Sequence, residues 1–173
     1  MTIGRLVLRA LVGGLFVGHG TQKLFGWFGG QGPEETGEMM ESAGLRPGRH
    51  NALAAGTAEA AGGALLTLGL ATPLGASLLS GVMLTAIRNV HWDKGVWNQE
   101  GGYEYPAVML ATLFVLTEAG PGRLSIDAAM GRERRGTGWA IAALTAAALA
   151  SDAIIRAGRG RAWLPRSQRP STT

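Results

Sequence analysis

Four apolar stretches, residues 6–25, 52–71, 74–90 and 103–119, are each about as long as a bilayer crossing, and nearly all their ionisable residues fall at one end. A helix rises about 1.5 Å per residue, so a 20-residue stretch covers roughly 30 Å of hydrocarbon. If the stretches are antiparallel neighbours joined by short loops, His19 and Lys23 at the end of the first stand level with Glu59 in the early turns of the second. Arg88 and His91, which end the third, and Glu104, which starts the fourth, stand at the same level. Ionised groups in hydrocarbon cost on the order of 3–10 kcal/mol, so they face one another or a wet cavity and mark functional sites. The pattern therefore places one polar site at one membrane interface.

Composition supports the same class. Charged residues make up 16% of the 173 and cluster between the apolar runs, whereas a soluble helix carries a polar face at every turn. Cysteine is absent, so this chain supplies no disulfide, thiolate ligand, iron–sulfur ligation or thiol relay, and any redox chemistry must be borrowed. The net charge of +4 comes from arginines flanking apolar runs, with no basic stripe interleaved with stacking aromatics, which excludes nucleic acid as a partner. Among the 28 glycines, Gly14 and Gly18 in the first stretch, and Ala58 with Gly62 in the second, fit the small-xxx-small spacing that lets helices approach closely in lipid. No phosphate loop, dinucleotide fingerprint, nucleophile elbow or zinc-hydrolase motif is present.

The basic start around Arg5 and Arg9 precedes an apolar run without a small-x-small cleavage site, which reads as a retained span. With the N-terminus inside, six positive residues (Arg5, Arg9, Arg123, Arg132, Arg134, Arg135) lie on the cytoplasmic side and four (Arg46, Arg49, Arg88, Lys94) on the other, so the polar site faces outward. Trp27, Trp92, Trp97 and Tyr103 fall at that outer interface, as an aromatic belt would. Residues 33–44 open with proline and acids and end in glycine, the pattern of a short helix lying over the outer end with Met39, Met40 and Ala43 toward the bundle. Residues 139–155 are mostly alanine and carry Asp152. They are read as a fifth helix of unresolved orientation, followed from residue 160 by a disordered basic tail.

His19 and Lys23 share a helical face at i, i+4. Lys23 can snorkel to the headgroups, while His19, one turn deeper, is either a hydrogen-bonded neutral imidazole or a ligand and proton-handling group. Glu59 lies between small residues and needs a partner, with Lys23 the first choice by depth and Arg88 the second; it serves either function or helix register. The two imidazoles and two carboxylates of His19, His91, Glu59 and Glu104 have no ligand-motif spacing, and no metal site is assigned.

The elements His19-Gly20-x-x-Lys23-Leu24-Phe25, Gly44-Leu45, Glu59-x-x-Gly62-Gly63, Gly69-Leu-Ala-Thr-Pro73, Gly102-Tyr-Glu104-Tyr-Pro106 and Gly120-Pro-Gly-Arg123-x-Ser125-x-Asp127 occur in that order relative to the four stretches. In this the chain resembles the DoxX family of small bacterial membrane proteins over about its first 130 residues. The resemblance implies a four-helix membrane bundle in the bacterial cytoplasmic membrane. It also implies membrane redox complexes, since the family takes its name from a subunit of thiosulfate:quinone oxidoreductase and other members are linked to thiol-redox complexes.

The expected fold is all-α, a transmembrane four-helix bundle (residues 1–130) with an additional C-terminal helix (131–157) and a basic tail (158–173). The expected function is a multi-pass subunit of a quinone-linked oxidoreductase. Glu59 and His19 are its catalytic candidates, and Lys23, Arg88, His91 and Glu104 its substrate-binding candidates. The expected partners are the bilayer, quinone, redox proteins and a second copy of the chain. The alternatives are a non-enzymatic carrier for a small lipophilic or anionic molecule and an anchor for soluble redox enzymes.

Overall fold

The computed structural model describes residues 2–162. Within them the chain is helical and forms no strand. The elements are α1 (Thr2–Phe25), α2 (Gly32–Ser42), α3 (Gly48–Leu68), α4 (Thr72–Ala86), α5 (Glu104–Ala119), α6 (Ile126–Ala129) and α7 (Thr137–Ala162). Helix α4 continues into a π-helical turn over Ile87–His91, and short 3₁₀ turns follow α1 and precede α5.

Side chains from four helices meet in one core: Val12 and Phe16 of α1, Leu66 of α3, Ala76, Leu79 and Met83 of α4, and Leu113 and Leu116 of α5. Two helices, over Ile3–Phe25 and Thr137–Gly160, are long and apolar enough to cross a membrane. Both expose apolar side chains outward, among them Val7, Leu11 and Leu15 of α1 and Ile141 and Leu149 of α7. Water is a poor solvent for such a surface, and lipid a good one. Four stretches looked long enough in the sequence, but α4 has 15 residues and α5 has 16, about 22–24 Å each. The doubtful alanine-rich stretch, by contrast, is part of a 26-residue helix.

Helix α3 stops at Gly69, whose φ of 64° is left-handed and cheap only for glycine. Its amide donates to Leu66 O and that of Leu70 to Leu65 O, satisfying the last carbonyls before Pro73 starts α4. On α1 close helix approach uses other glycines than the spacing suggested, whereas on α3 the expected Gly62 does make a close contact. A Cβ on Gly13 would lie 2.6 Å from Gly63 O and one on Gly20 2.6 Å from Gly56 O, whereas Gly14 and Gly18 have nothing within 4 Å. Residues 13 and 20 are two turns apart and so share a face; 14 and 18 lie on another, turned away from α3. Gly62 packs on Leu79 and Gly75 of α4.

Helix α2 lies on α3 through Gly37, whose carbonyl touches Gly48, and through Glu41 Oε1, which accepts from Gly48 N at 3.0 Å. Its buried residues are Gly32, Thr36 and Gly37; Met39 is exposed. The glycine contact rotates the helix so that Met39 does not face the bundle, contrary to its apolar character.

Helix α7 packs on α4 and α5 through Ala140, Ala143, Ala147 and Ser151. Thr85 Oγ1 donates to Ser151 Oγ at 2.9 Å. The direction of α7, open in the sequence, is fixed at both ends. Thr137 Oγ1 donates to Glu118 Oε1 at the end of α5, and Gly158 abuts Gly44 and Arg46 beyond α2. Arg156 and Arg159 thus emerge at the end of the bundle that carries Lys23 and Glu59. The helix reaches Ala162, so the tail expected from residue 158 begins within it, and residues 163–173 of that tail lie outside the described residues.

Candidate functional site

The site grows from α3. Glu59 lies on the same face of α3 as Gly56 and Gly63, which contact α1, and the close approach of the two helices leaves the residue buried at 3% exposure. Lys23, in the last turn of α1, reaches it: Nζ lies 2.7 Å from Glu59 Oε2. The lysine side chain keeps 22% of its surface and the glutamate 4%. The pair is therefore dry on the acid side and open on the base side. Of the two partners weighed for Glu59, the first-ranked one makes the contact. Arg88 is exposed on the π-helical turn and forms no ion pair among the described residues.

Two further groups feel the charge of Glu59, the His19 imidazole and the Tyr105 phenol. His19 is on the exposed side of α1, one turn before Lys23. Its Nδ1 is 3.1 Å from Gln22 Oε1, and Gln22 Nε2 in turn donates to Phe28 O at 3.4 Å. Gln22 thus ties the imidazole to the Gly26–Gly30 turn, where Phe28 sits at a positive φ of 53°. Neither Gln22 nor Tyr105 was singled out from sequence. Gln22 had a readable signal, its i, i+3 spacing from His19. Tyr105 had only its place in the first turn of an apolar stretch.

His91 and Glu104 do not join this group. His91 Nδ1 donates to Gly101 O at 2.6 Å, and Glu104 Oε2 accepts from Asn98 N at 3.0 Å. Both shape the loop between α4 and α5, which Trp92 and Tyr103 brace by stacking at 5.7 Å between centroids. Depth alone placed them with Glu59; the loop's unsatisfied backbone groups claim them instead. Among the described residues no three His, Cys, Asp or Glu side chains gather as a metal site would require. From the first turn of α3, Arg49 Nε donates at 2.8 Å to Glu34 Oε1 on the exposed face of α2 and holds that carboxyl below its ordinary range.

A second polar cluster occupies the opposite end. Arg9 is 2% exposed within α1, and its guanidinium donates to Thr67 O at 3.2 Å, Leu124 O at 2.7 Å and Pro121 O. Asp127 is buried beside it and accepts from Ala71 N at 3.1 Å and Thr72 N at 3.4 Å, which supports Ala71 at its positive φ of 46°. Among the described residues the side-chain hydrogen-bond partners of Arg9 are carbonyls and those of Asp127 are amides, and the Asp127 amide donates to Gly69 O at 3.0 Å, so this cluster holds the α3–α4 turn and the residue 120–127 loop together. In the sequence Arg9 reads only as a topology signal. Its position within an apolar run, unlike that of Arg5, was the cue to a buried role.

A family model described as DoxX matches residues 4–92, which contain α1 to α4 with His19, Lys23 and Glu59. Neither a curated protein nor a solved structure matches the chain.

Proposed function

Because the chain belongs to the DoxX family, a family of membrane proteins, we propose that it is a multi-pass subunit of a quinone-linked oxidoreductase in the bacterial cytoplasmic membrane, with the α1–α5 bundle spanning the bilayer. The observation that carries this reading is the Lys23–Glu59 pair, buried on the acid side and accessible on the base side, with His19 beside it on the lipid-exposed face of α1. Reducing a quinone takes two electrons and two protons. The electrons come from a partner oxidoreductase, since a chain without cysteine has no thiol couple of its own. The chain's part is to hold the headgroup and handle protons. Lys23 donates to a headgroup oxygen, Glu59 fixes the ammonium, and His19, oriented by Gln22, passes protons to the headgroup.

Reconstituted with its partner, the His19→Gln variant is expected to stay folded and monodisperse but to lose at least tenfold in quinone reduction, because glutamine keeps hydrogen bonding and loses proton exchange. Glu59→Gln is expected to act in the same direction. Full activity in both variants would reject a catalytic site and put the anchor reading first.

We propose that the N-terminus is cytoplasmic and the Lys23–Glu59 end external, following the first span with Arg5 and Arg9 at its N-terminal end. The direction of α7 adds Arg156, Arg159 and Arg161 to the site end, which makes seven positive residues there against six at the other end; that count runs against this orientation, which rests on the first helix. The native chain has no cysteine, which makes single-cysteine labelling clean. In intact cells an impermeant thiol reagent is expected to label Cys at the exposed positions Gln31 or Asn98 and to spare Cys at Arg132. The reverse pattern assigns the site to the cytoplasm.

A further inference from the structure

At the end of the bundle opposite Glu59, an open cleft of about 450 Å³ is lined by Arg123, Ala128, Ala129, Gly131 and Glu133. We infer that this cleft binds the phosphate headgroup of an anionic phospholipid.

Four observations lead there. The cleft has an available cation, because Arg123 is exposed and makes no ion pair or hydrogen bond among the described residues. Arg132, on the adjoining strip of chain, is likewise exposed with its guanidinium unpaired among them. The one acid in the lining, Glu133, lies 3.8 Å from Arg135, which offsets its charge. A planar guanidinium offers paired donors that match phosphate oxygens.

Second, the surround is apolar as well as basic. Leu124, Ile126 and Met130 lie on the same segment with 55%, 37% and 49% of their surface exposed. An exposed apolar set beside arginines is the composition of a segment lying in the headgroup region, with its apolar side chains among the acyl chains. Third, Arg134, next in the chain to the lining residue Glu133, lies 5.2 Å from the ring centre of Trp139, an amphipathic ring of the kind that collects at headgroups.

Fourth, the cleft is preorganised. Arg9 grips the carbonyls of Pro121 and Leu124, the Ser125 hydroxyl caps α6 by accepting from Ala128 N at 3.2 Å, and Asp127 pins the segment to α4. A headgroup would meet a surface already in place and lose little affinity to ordering it. A free anion would gain nothing from Leu124, Ile126 and Met130, and this selects the lipid as the source of the phosphate.

The inference rests on the membrane placement above, and the test separates the two. The full chain is reconstituted in nanodiscs of phosphatidylcholine with or without phosphatidylglycerol, and lipids retained on the protein are counted by native mass spectrometry. The wild type is expected to keep phosphatidylglycerol in preference to phosphatidylcholine. Arg123→Gln and Arg132→Gln should each weaken that preference about fivefold, the effect of one basic residue at an anionic surface. Leu124→Gln should weaken retention of both lipids. Equal retention of the two lipids by the wild type, or an unchanged preference in Arg123→Gln, overturns the lipid site. Displacement of phosphatidylglycerol by millimolar inorganic phosphate also overturns it, in favour of a free-anion site. Failure of the wild type to enter phosphatidylcholine nanodiscs at all would instead sink the membrane placement, and this inference with it.

Discussion

Replacing Lys23 with methionine while Glu59 stays in place is expected to destabilise the solubilised protein by about 3–5 kcal/mol, because removing one partner of a buried pair leaves a charge with no compensation. For a chain of this size that is a fall in melting temperature of roughly 6–20 °C. The converse change, Glu59→Gln, should cost less. The glutamate side chain has 4% of its surface exposed and cannot escape, whereas the lysine keeps 22% and can snorkel toward water once its partner is gone. The double variant Lys23→Met/Glu59→Gln should recover most of the loss seen in Lys23→Met alone. Thermal unfolding in detergent, followed by tryptophan fluorescence, yields all corners of the cycle. Strictly additive losses would show that the 2.7 Å contact carries no coupling.

Arg9→Met is expected to have an effect of similar size at the other end. It removes the donor shared by Thr67 O, Pro121 O and Leu124 O, and hydrogen bonds from a charged donor are worth about 1.5–3 kcal/mol each. Part of that is returned because the carbonyls relax toward other donors, so several kcal/mol in total is the expected loss. Arg9→Lys should be intermediate, since a compact ammonium cannot reach three carbonyls on two segments as a fork of five N–H groups can. Limited proteolysis should then cut between Gly120 and Gly136 sooner in Arg9→Met than in wild type, because the loop has lost its clamp. An unchanged melting temperature and cleavage pattern would show that Asp127 and the capping of α6 hold the loop unaided.

The two changes also separate the roles of the two polar clusters. Within the Arg9–Asp127 pair itself each charged side chain is matched to backbone groups, so neither of these two is left for a ligand to compete for. At the Lys23 end the base is open to the surface, and the imidazole beside it is oriented by a side chain. That difference in partners, rather than burial as such, makes the Lys23–Glu59 cluster the functional candidate.

Much of this was legible in the residues themselves, because it is set locally or by depth. Gly69 and Pro73 mark the α3–α4 turn by their own backbone limits. Helix content follows from the apolar runs, and the level at which Lys23 meets Glu59 follows from counting residues at about 1.5 Å each. Depth fixes height along a helix axis and says nothing about rotation around it. In a water-soluble bundle the polar stripe reveals that rotation, but helices facing lipid are apolar on most sides, so the stripe is missing. The choice of Gly13 and Gly20 over Gly14 and Gly18, the outward turn of Met39, and the diversion of His91 and Glu104 to the α4–α5 loop were therefore decided only by packing. So was the direction of α7, whose two ends are tied to Glu118 and to Gly44 by contacts far apart in sequence. The sequence determined which residues stand at which height in the bundle; the tertiary structure decided which of them face each other, since only neighbouring helices and unsatisfied loop amides set the angle at which each side chain points.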